Sequence, residues 1–286
     1  MVGIDVLRRF IAATGAAIVL ACTTPASAAC LTGASNLAAI AQDGGNAQAT
    51  IDQTSQANGA ACVDQGGEDA TASILQIGSA EPNVASIVQT GGVDQVAYIG
   101  QDGGRNQASI GQSQANGATT LGSGSLLPAG FLARLAGAGP ASGYGAVIAQ
   151  DGSLNNASIQ QGSDGAYAEV GQDGDANTAA ILQGGLSSGL TGNFASLYQN
   201  GSGNLGQLEQ TGEANSADLT QTGSNLIGSI AQTGNTNTAS LTQTGSGLAY
   251  AIVQDGTSTV AGGITLTGVT NVSVMQANVQ TIVTAR

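Results

Sequence analysis

From Gln199 to Gln254, small or apolar and polar positions alternate through five consecutive blocks of eleven residues, each closing on Gln: NGSGNLGQLEQ, TGEANSADLTQ, TGSNLIGSIAQ, TGNTNTASLTQ and TGSGLAYAIVQ. The consensus is Gln-x-Gly-x-x-Asn-x-Ala-x-(Ile/Leu)-x-Gln. An eleven-residue period suits either a right-handed helical coil or a repeated strand. The recurring positions, such as Asn215, Ala217, Leu219 and Gln221, step by two, which is the spacing of one face of a strand. Gly recurs two residues after each Gln, at 201, 212, 223, 234 and 245, and each would cost a helix interior about 1 kcal/mol against Ala. The pattern therefore predicts β-arms of about seven residues joined by Gly-containing turns of about four, stacked so that each turn pairs with its neighbours. The inward face carries Asn, Ala, Ile or Leu, and Gln; in the block ending at Gln221, Ser216, Asp218 and Thr220 face outward. Charge follows the same division. The acids within arms (Asp52, Asp64, Glu169, Glu209 and Asp218) take outward positions, and the remaining array acids and Arg105 fall in turns. A dry inward face would not tolerate them unpaired.

The same arms recur from Asn36, with blocks closing on Gln42, Gln53, Gln65, Gln76, Gln89, Gln101 and Gln112, and again at Gln150, Gln161, Gln172 and Gln183. Longer spacings before Gln65, Gln89 and Gln101 read as longer turns. Ser113 to Gly145, rich in Gly, Ser and Ala, breaks the array as a surface excursion or hinge. Beyond Gln254 the consensus decays, although Val272, Val274 and Gln276 keep the alternation and Thr281 to Val283 is β-prone. The expected organisation is a signal peptide over 1–28, an N-terminal array over 29–112, an insertion or linker over 113–145, a C-terminal array over 146–254 and degenerate capping repeats over 255–286. The fold class is all-β, a β-solenoid of stacked strand–turn–strand units with cross-β pairing. Seventeen blocks at two per turn make about eight turns, a spool roughly 40 Å tall at the strand spacing.

The signal peptide rests on Arg8 and Arg9, the apolar run Phe10 to Ala21, and Pro25-Ala-Ser-Ala28 with its Ala26-x-Ala28 cleavage site. Arg8-Arg9 also fits twin-arginine export, and Val19-Leu-Ala-Cys22 loosely fits a lipoprotein box. No later stretch is apolar enough to cross a bilayer. Removing that segment leaves a chain of net charge near −14 with no Lys, His or Trp. Such a chain has no basic patch for nucleic acid. Two cysteines remain, Cys30 and Cys62, in a compartment that permits disulfides. They form one bridge or stay as two thiols, a choice that spacing alone does not make.

An inward row of Gln and Asn in register places side-chain amides about 4.8 Å apart. Each amide donates and accepts, so such a row forms a hydrogen-bonded ladder of the kind that stabilises cross-β structure. The Ala and Ile or Leu between them make a core too thin for a ligand pocket.

The repeat closely resembles the curlin repeat of bacterial curli fibres. The motif Gln-x-Gly-x-x-Asn-x-Ala-x-x-x-Gln stands intact at 101–112, 150–161, 172–183, 210–221 and 232–243. The resemblance implies a curlin-like functional amyloid that leaves the cell through an outer-membrane pore and polymerises at the surface. It also implies a nucleator or second fibre subunit as partner. Its amyloid-forming amides would fall on Gln101, Asn106, Gln112, Gln150, Asn155, Gln161, Gln172, Asn177, Gln183, Gln210, Asn215, Gln221, Gln232, Asn237 and Gln243.

Two functional readings follow. One is a secreted structural subunit that self-assembles into extracellular fibres for adhesion and biofilm matrix. The other is a self-contained extracellular solenoid adhesin, presenting its Ser/Thr/Asp face to glycans, matrix polymers or a surface. Asp-Gly-Gly at Asp43 and Asp102 is reminiscent of calcium-binding β-rolls, but their nine-residue period is missing, so no metal or cofactor is expected. No enzyme is expected either, since the chain lacks His and its Ser residues lack a base.

Overall fold

A computed structural model describes residues 37–54, 59–78, 81–91, 94–113, 144–162, 165–184, 192–257, 260–268, 272–277 and 280–285. The expected signal peptide, Cys30 and most of the 113–145 insertion lie outside the described residues. Every described element is a strand. Sheet A contains β1 (Leu37–Gln42), β3 (Ala60–Gln65), β5 (Val84–Thr90), β7 (Gln107–Ser113), β9 (Asn156–Gln161), β11 (Thr178–Gly184), β13 (Leu205–Thr211), β15 (Ile227–Thr233), β17 (Ala249–Asp255), β19 (Val272–Ala277) and β20 (Gln280–Ala285), in that order. Sheet B contains β2 (Gln48–Thr54), β4 (Thr71–Ile77), β6 (Gln95–Gly104), β8 (Tyr144–Ser153), β10 (Tyr167–Asp175), β12 (Phe194–Ser202), β14 (Ser216–Ser224), β16 (Thr238–Ser246) and β18 (Val260–Gly268). From β1 to β19 successive strands alternate between the sheets, so the chain coils as a parallel β-solenoid of about eight turns. One eleven-residue block is half a turn, and residues in register lie 22 apart where the turns are shortest, as with Gln199, Gln221 and Gln243.

Pairing runs without a break past the insertion. β6 pairs with β8 from Gln95↔Tyr144 to Gly104↔Ser153, and β7 pairs with β9 from Gln107↔Asn156 to Gln112↔Gln161. The two arrays are therefore one stack.

Alternation decides which face is buried. Along β14, Ala217, Leu219 and Gln221 are buried while Ser216, Asp218 and Thr220 are half-buried. The core is one continuous cluster with two kinds of row, Ala (Ala85, Ala108, Ala157, Ala179) and branched residues (Ile87, Ile110, Ile159, Ile181). Small residues of one sheet meet the large residues of the other: a methyl on Gly206 would come within 3.0 Å of Leu197 Cδ1 and Cδ2. The interior is packed too densely to give way freely to that carbon.

The turns need Gly for a related reason. Gly223 has φ 137°, a region that L side chains seldom adopt, and a methyl there would run into the carbonyl of Gly245 in the turn above. The next bend takes a left-handed residue, Asn225 at φ 55°, a conformation that Asn tolerates.

At the C-terminal end the regular coil stops. β18 pairs with β16 through an irregularity between Ala239 and Leu241, and Leu266 stands in register with Gln243. β19 continues sheet A with Gln276 opposite Gln254. β20 then folds back antiparallel on β19, with Val272↔Ala285 and Ala277↔Gln280 as the outer partners.

Candidate functional site

The repeat's amides form two Gln ladders, one per sheet. In sheet A the row is Gln42, Gln65, Gln89, Gln112, Gln161, Gln183, Gln210, Gln232 and Gln254. Each Nε2 donates to the next Oε1, for example Gln112 to Gln161 at 2.9 Å and Gln210 to Gln232 at 2.8 Å. In sheet B the row is Gln53, Gln76, Gln101, Gln150, Gln172, Gln199, Gln221 and Gln243, with the same sense and every step at 2.8 Å. Both ladders bridge the insertion, Gln101 to Gln150 and Gln112 to Gln161. The second Nε2 proton crosses to the opposite sheet: Gln221 donates to the Leu205 carbonyl at 3.1 Å and Gln232 to that of Ser216 at 3.0 Å. Each interior Gln thus ties the rung above it and the facing sheet together, leaving neither amide proton idle. That satisfaction is what makes a dry row of amides tolerable.

The Asn row departs from the expected amide-on-amide ladder. The Asn177 main-chain N–H donates to Asn155 Oδ1 at 3.0 Å, and its Nδ2 donates to the Gly201 carbonyl of the next turn at 2.9 Å. Asn is one methylene shorter than Gln and sits where the turn enters the strand, so its amide reaches backbone before it reaches another amide. Asn155 and Asn215 also close their own turns, onto Asp151 O at 3.2 Å and Thr211 O at 3.3 Å. One Asn row enters sheet A at Asn83, Asn106, Asn155, Asn177 and Asn204, and ends where the Leu226 N–H donates to Asn204 Oδ1. The other enters sheet B at Asn193, Asn215 and Asn237. Ala166 takes that place before β10, and Gln95 opens β6 fully buried with neither amide atom partnered.

All fifteen amides singled out from the intact motif are buried: Gln112, Gln161, Gln183, Gln210 and Gln232 in sheet A; Gln101, Gln150, Gln172, Gln221 and Gln243 in sheet B; Asn106, Asn155 and Asn177 on one edge and Asn215 and Asn237 on the other. The ladders also contain Gln42, Gln53, Gln65, Gln76, Gln89, Gln199 and Gln254, with Asn83, Asn193 and Asn204 in the Asn rows. The block spacing had marked these Gln residues, but irregular turns break the strict motif around several of them. Asn193-x-Ala195-x-Leu197-x-Gln199 shows the surviving signal, an intact arm behind a long turn.

The outer faces are less uniform. Glu169 points outward as its parity requires, yet only 1 % of it is exposed. Its carboxylate accepts from Tyr167 Oη at 3.0 Å and Ser196 Oγ at 2.9 Å. Tyr167 stacks on Phe194, ring centroids 5.5 Å apart. Burial raises the Tyr167 phenol, with the Glu169 charge and hydrogen bond adding to it. Burial, and then the Glu169 charge, also raises the Asp218 carboxyl. Cys62 is buried on the outward side of β3 and disulfide-bonded; Cys30, one expected partner, is outside the described residues. No group of three or more His, Cys, Asp or Glu gathers among the described residues, which include Asp43 and Asp102.

A two-sheet parallel solenoid joined internally by Gln ladders defines a structural repeat protein. Residues 191–223 and 212–245 match the curlin associated repeat, and the chain thereby matches the curlin-repeat family across β12 to β16. No curated protein matches the chain.

Proposed function

We propose that this chain is a secreted, curlin-like structural subunit, exported by a Sec-type signal peptide and passed through an outer-membrane pore. It self-assembles into extracellular amyloid fibres at the cell surface for adhesion and biofilm matrix, with a nucleator or second subunit as partner. The observation that carries this reading is the pair of unbroken Gln ladders, whose hydrogen bonds repeat along the stack and start at Gln42 and Gln53, which accept from no other described residue. A ladder of this kind continues in a second copy by the same bonds that built it in the first. The role is structural and uses no catalytic group, cofactor or metal.

The second reading, a self-contained solenoid adhesin, draws support from the fold-back of β20 at one end. Negative-stain microscopy, thioflavin fluorescence and fibre diffraction of the mature chain from Ala29 separate the two. Fibres with reflections near 4.7 and 10 Å are expected. A monomer that persists for days at high concentration without thioflavin signal would establish the adhesin reading instead.

A further inference from the structure

The two ends of the stack are unequal. At the N-terminal end β1 and β2 are the outermost strands of their sheets. Their inward residues Ile40, Ala49 and Ile51 are only partly buried, whereas Val63, Ala72 and Ile74 one turn higher are closed off almost completely. Gln42 is exposed, and Gln42 and Gln53 donate up their ladders while their own Oε1 atoms accept nothing from the described residues. Among the described residues, this end shows unpaired strand edges, a part-open core and the first unfilled acceptors of both ladders.

The C-terminal end is less regular, although β19 still sets Gln276 in register with Gln254. In sheet B the ladder stops because Leu266 stands opposite Gln243, and the strand carrying it is kinked by the irregularity beside Ala239. Kinks of this sort are a common means of ending edge pairing. In sheet A, β20 does not cross to sheet B but turns back on β19. Sheet A therefore has eleven strands against nine in sheet B. A second copy that laid its β1 on β20 would leave sheet B two rungs short, a gap of about 10 Å at the strand spacing, against one rung and about 5 Å if it lay on β19. Both ladders and the core would be interrupted there.

We propose that a second copy of the chain docks through the open edge of β1 and β2, and that the end formed by β18 to β20 is closed until β20 leaves sheet A. Elongation is then polar, and the small fraction of chains with β20 released lengthens its lag. The proposal builds on the fibre reading and adds which surface joins and which must open.

The test compares the mature chain with three variants under one thioflavin assay, with protease resistance of the monomer as the check on folding. Deleting residues 280–286 removes β20 and should shorten the lag at least fivefold. Ser273→Cys with Thr284→Cys joins register partners of β19 and β20. The oxidised form should elongate at least tenfold more slowly than the same protein reduced, with wild type reduced in parallel to account for its own disulfide. Ile51→Lys puts a charge on the open edge and should abolish growth, including growth on wild-type seeds. Fibres from all proteins at one rate, or normal growth of the oxidised pair or of Ile51→Lys, would overturn the polar mechanism and leave the fibre reading standing. Folded monomers that form no fibres, with or without β20, would overturn the fibre reading and this inference with it.

Discussion

Glu169, Ser196 and Asp218 occupy one outward column of sheet B on three successive rungs. Glu169 gains two hydroxyl donors, but Asp218 has a buried Oδ1 with no hydrogen-bond partner. Its carboxyl is raised above its usual 3.8, first by desolvation and then by the Glu169 charge. A raised carboxyl favours the protonated folded state. The stability it contributes is fully present below the unfolded value and is lost as pH rises through the higher folded value. Asp218→Asn should therefore raise the denaturation midpoint at pH 7, match wild type near pH 3, and flatten the profile between. A midpoint at pH 7 that is unchanged or lower would contradict this account. The column also shows a limit of reading parity. Alternation puts Glu169 on the outer face, and it is there, but whether that face is wet depends on what packs over it. The burial of Glu169 follows from tertiary neighbours such as Tyr167 and Ser196, which stand two positions away and on another rung.

The arm is the element in which most of the fold was legible. A period of two inside a period of eleven identifies the strand, its inward face and its turn, because a side chain that slips by one residue changes face. The irregular arms were harder: β18 has Leu266 where the motif has Gln, so the repeat count ends at Gln254 while the stack goes on. The fold-back of β20 had no signal in the pattern, since a β-prone run states neither its partner nor its direction. Likewise the motif treats Asn and Gln as equivalent amides, and only geometry separates the Gln ladder from the Asn-to-backbone bonds. That distinction gives an element-scale prediction. Gln221 accepts from Gln199 and donates to Gln243 and to the Leu205 carbonyl. Gln221→Ala removes all three bonds and orphans groups in a dry core, at about 1–3 kcal/mol for each unsatisfied group. Gln42 is exposed at the first rung and makes one ladder bond, so Gln42→Ala should cost under about 1 kcal/mol. Chemical denaturation of the monomers checks the order, and equal losses would show that the ladder adds nothing cooperative along the stack.

At the scale of the molecule, charge opposes what the ladders favour. Without residues 1–28 the chain is close to −14, and the acids among the described residues lie on outer faces and in turns, where a second copy would set them beside its own. Arg105 pairs with Glu81 at 2.8 Å, which neutralises little of the total. Two stacked copies therefore repel through solvent, and repulsion of that kind is screened within about 8 Å at 0.15 M salt and about 3 Å at 1 M. The turns that would meet lie one strand spacing apart, about 4.8 Å, so added salt should act on the joining step over this whole range. We expect the assembly lag to shorten progressively from 0.01 to 0.5 M sodium chloride at pH 7. The same salt series at pH 4 should have a much weaker effect, because protonation has already removed part of the charge. The chain lacking residues 280–286 should show the same proportional response to salt, since screening governs encounter whereas β20 governs the end that receives it. Thioflavin lag times across the two salt series measure all three expectations. A lag that ignores salt at pH 7 would mean that release of the C-terminal strand, and not repulsion between copies, limits assembly throughout.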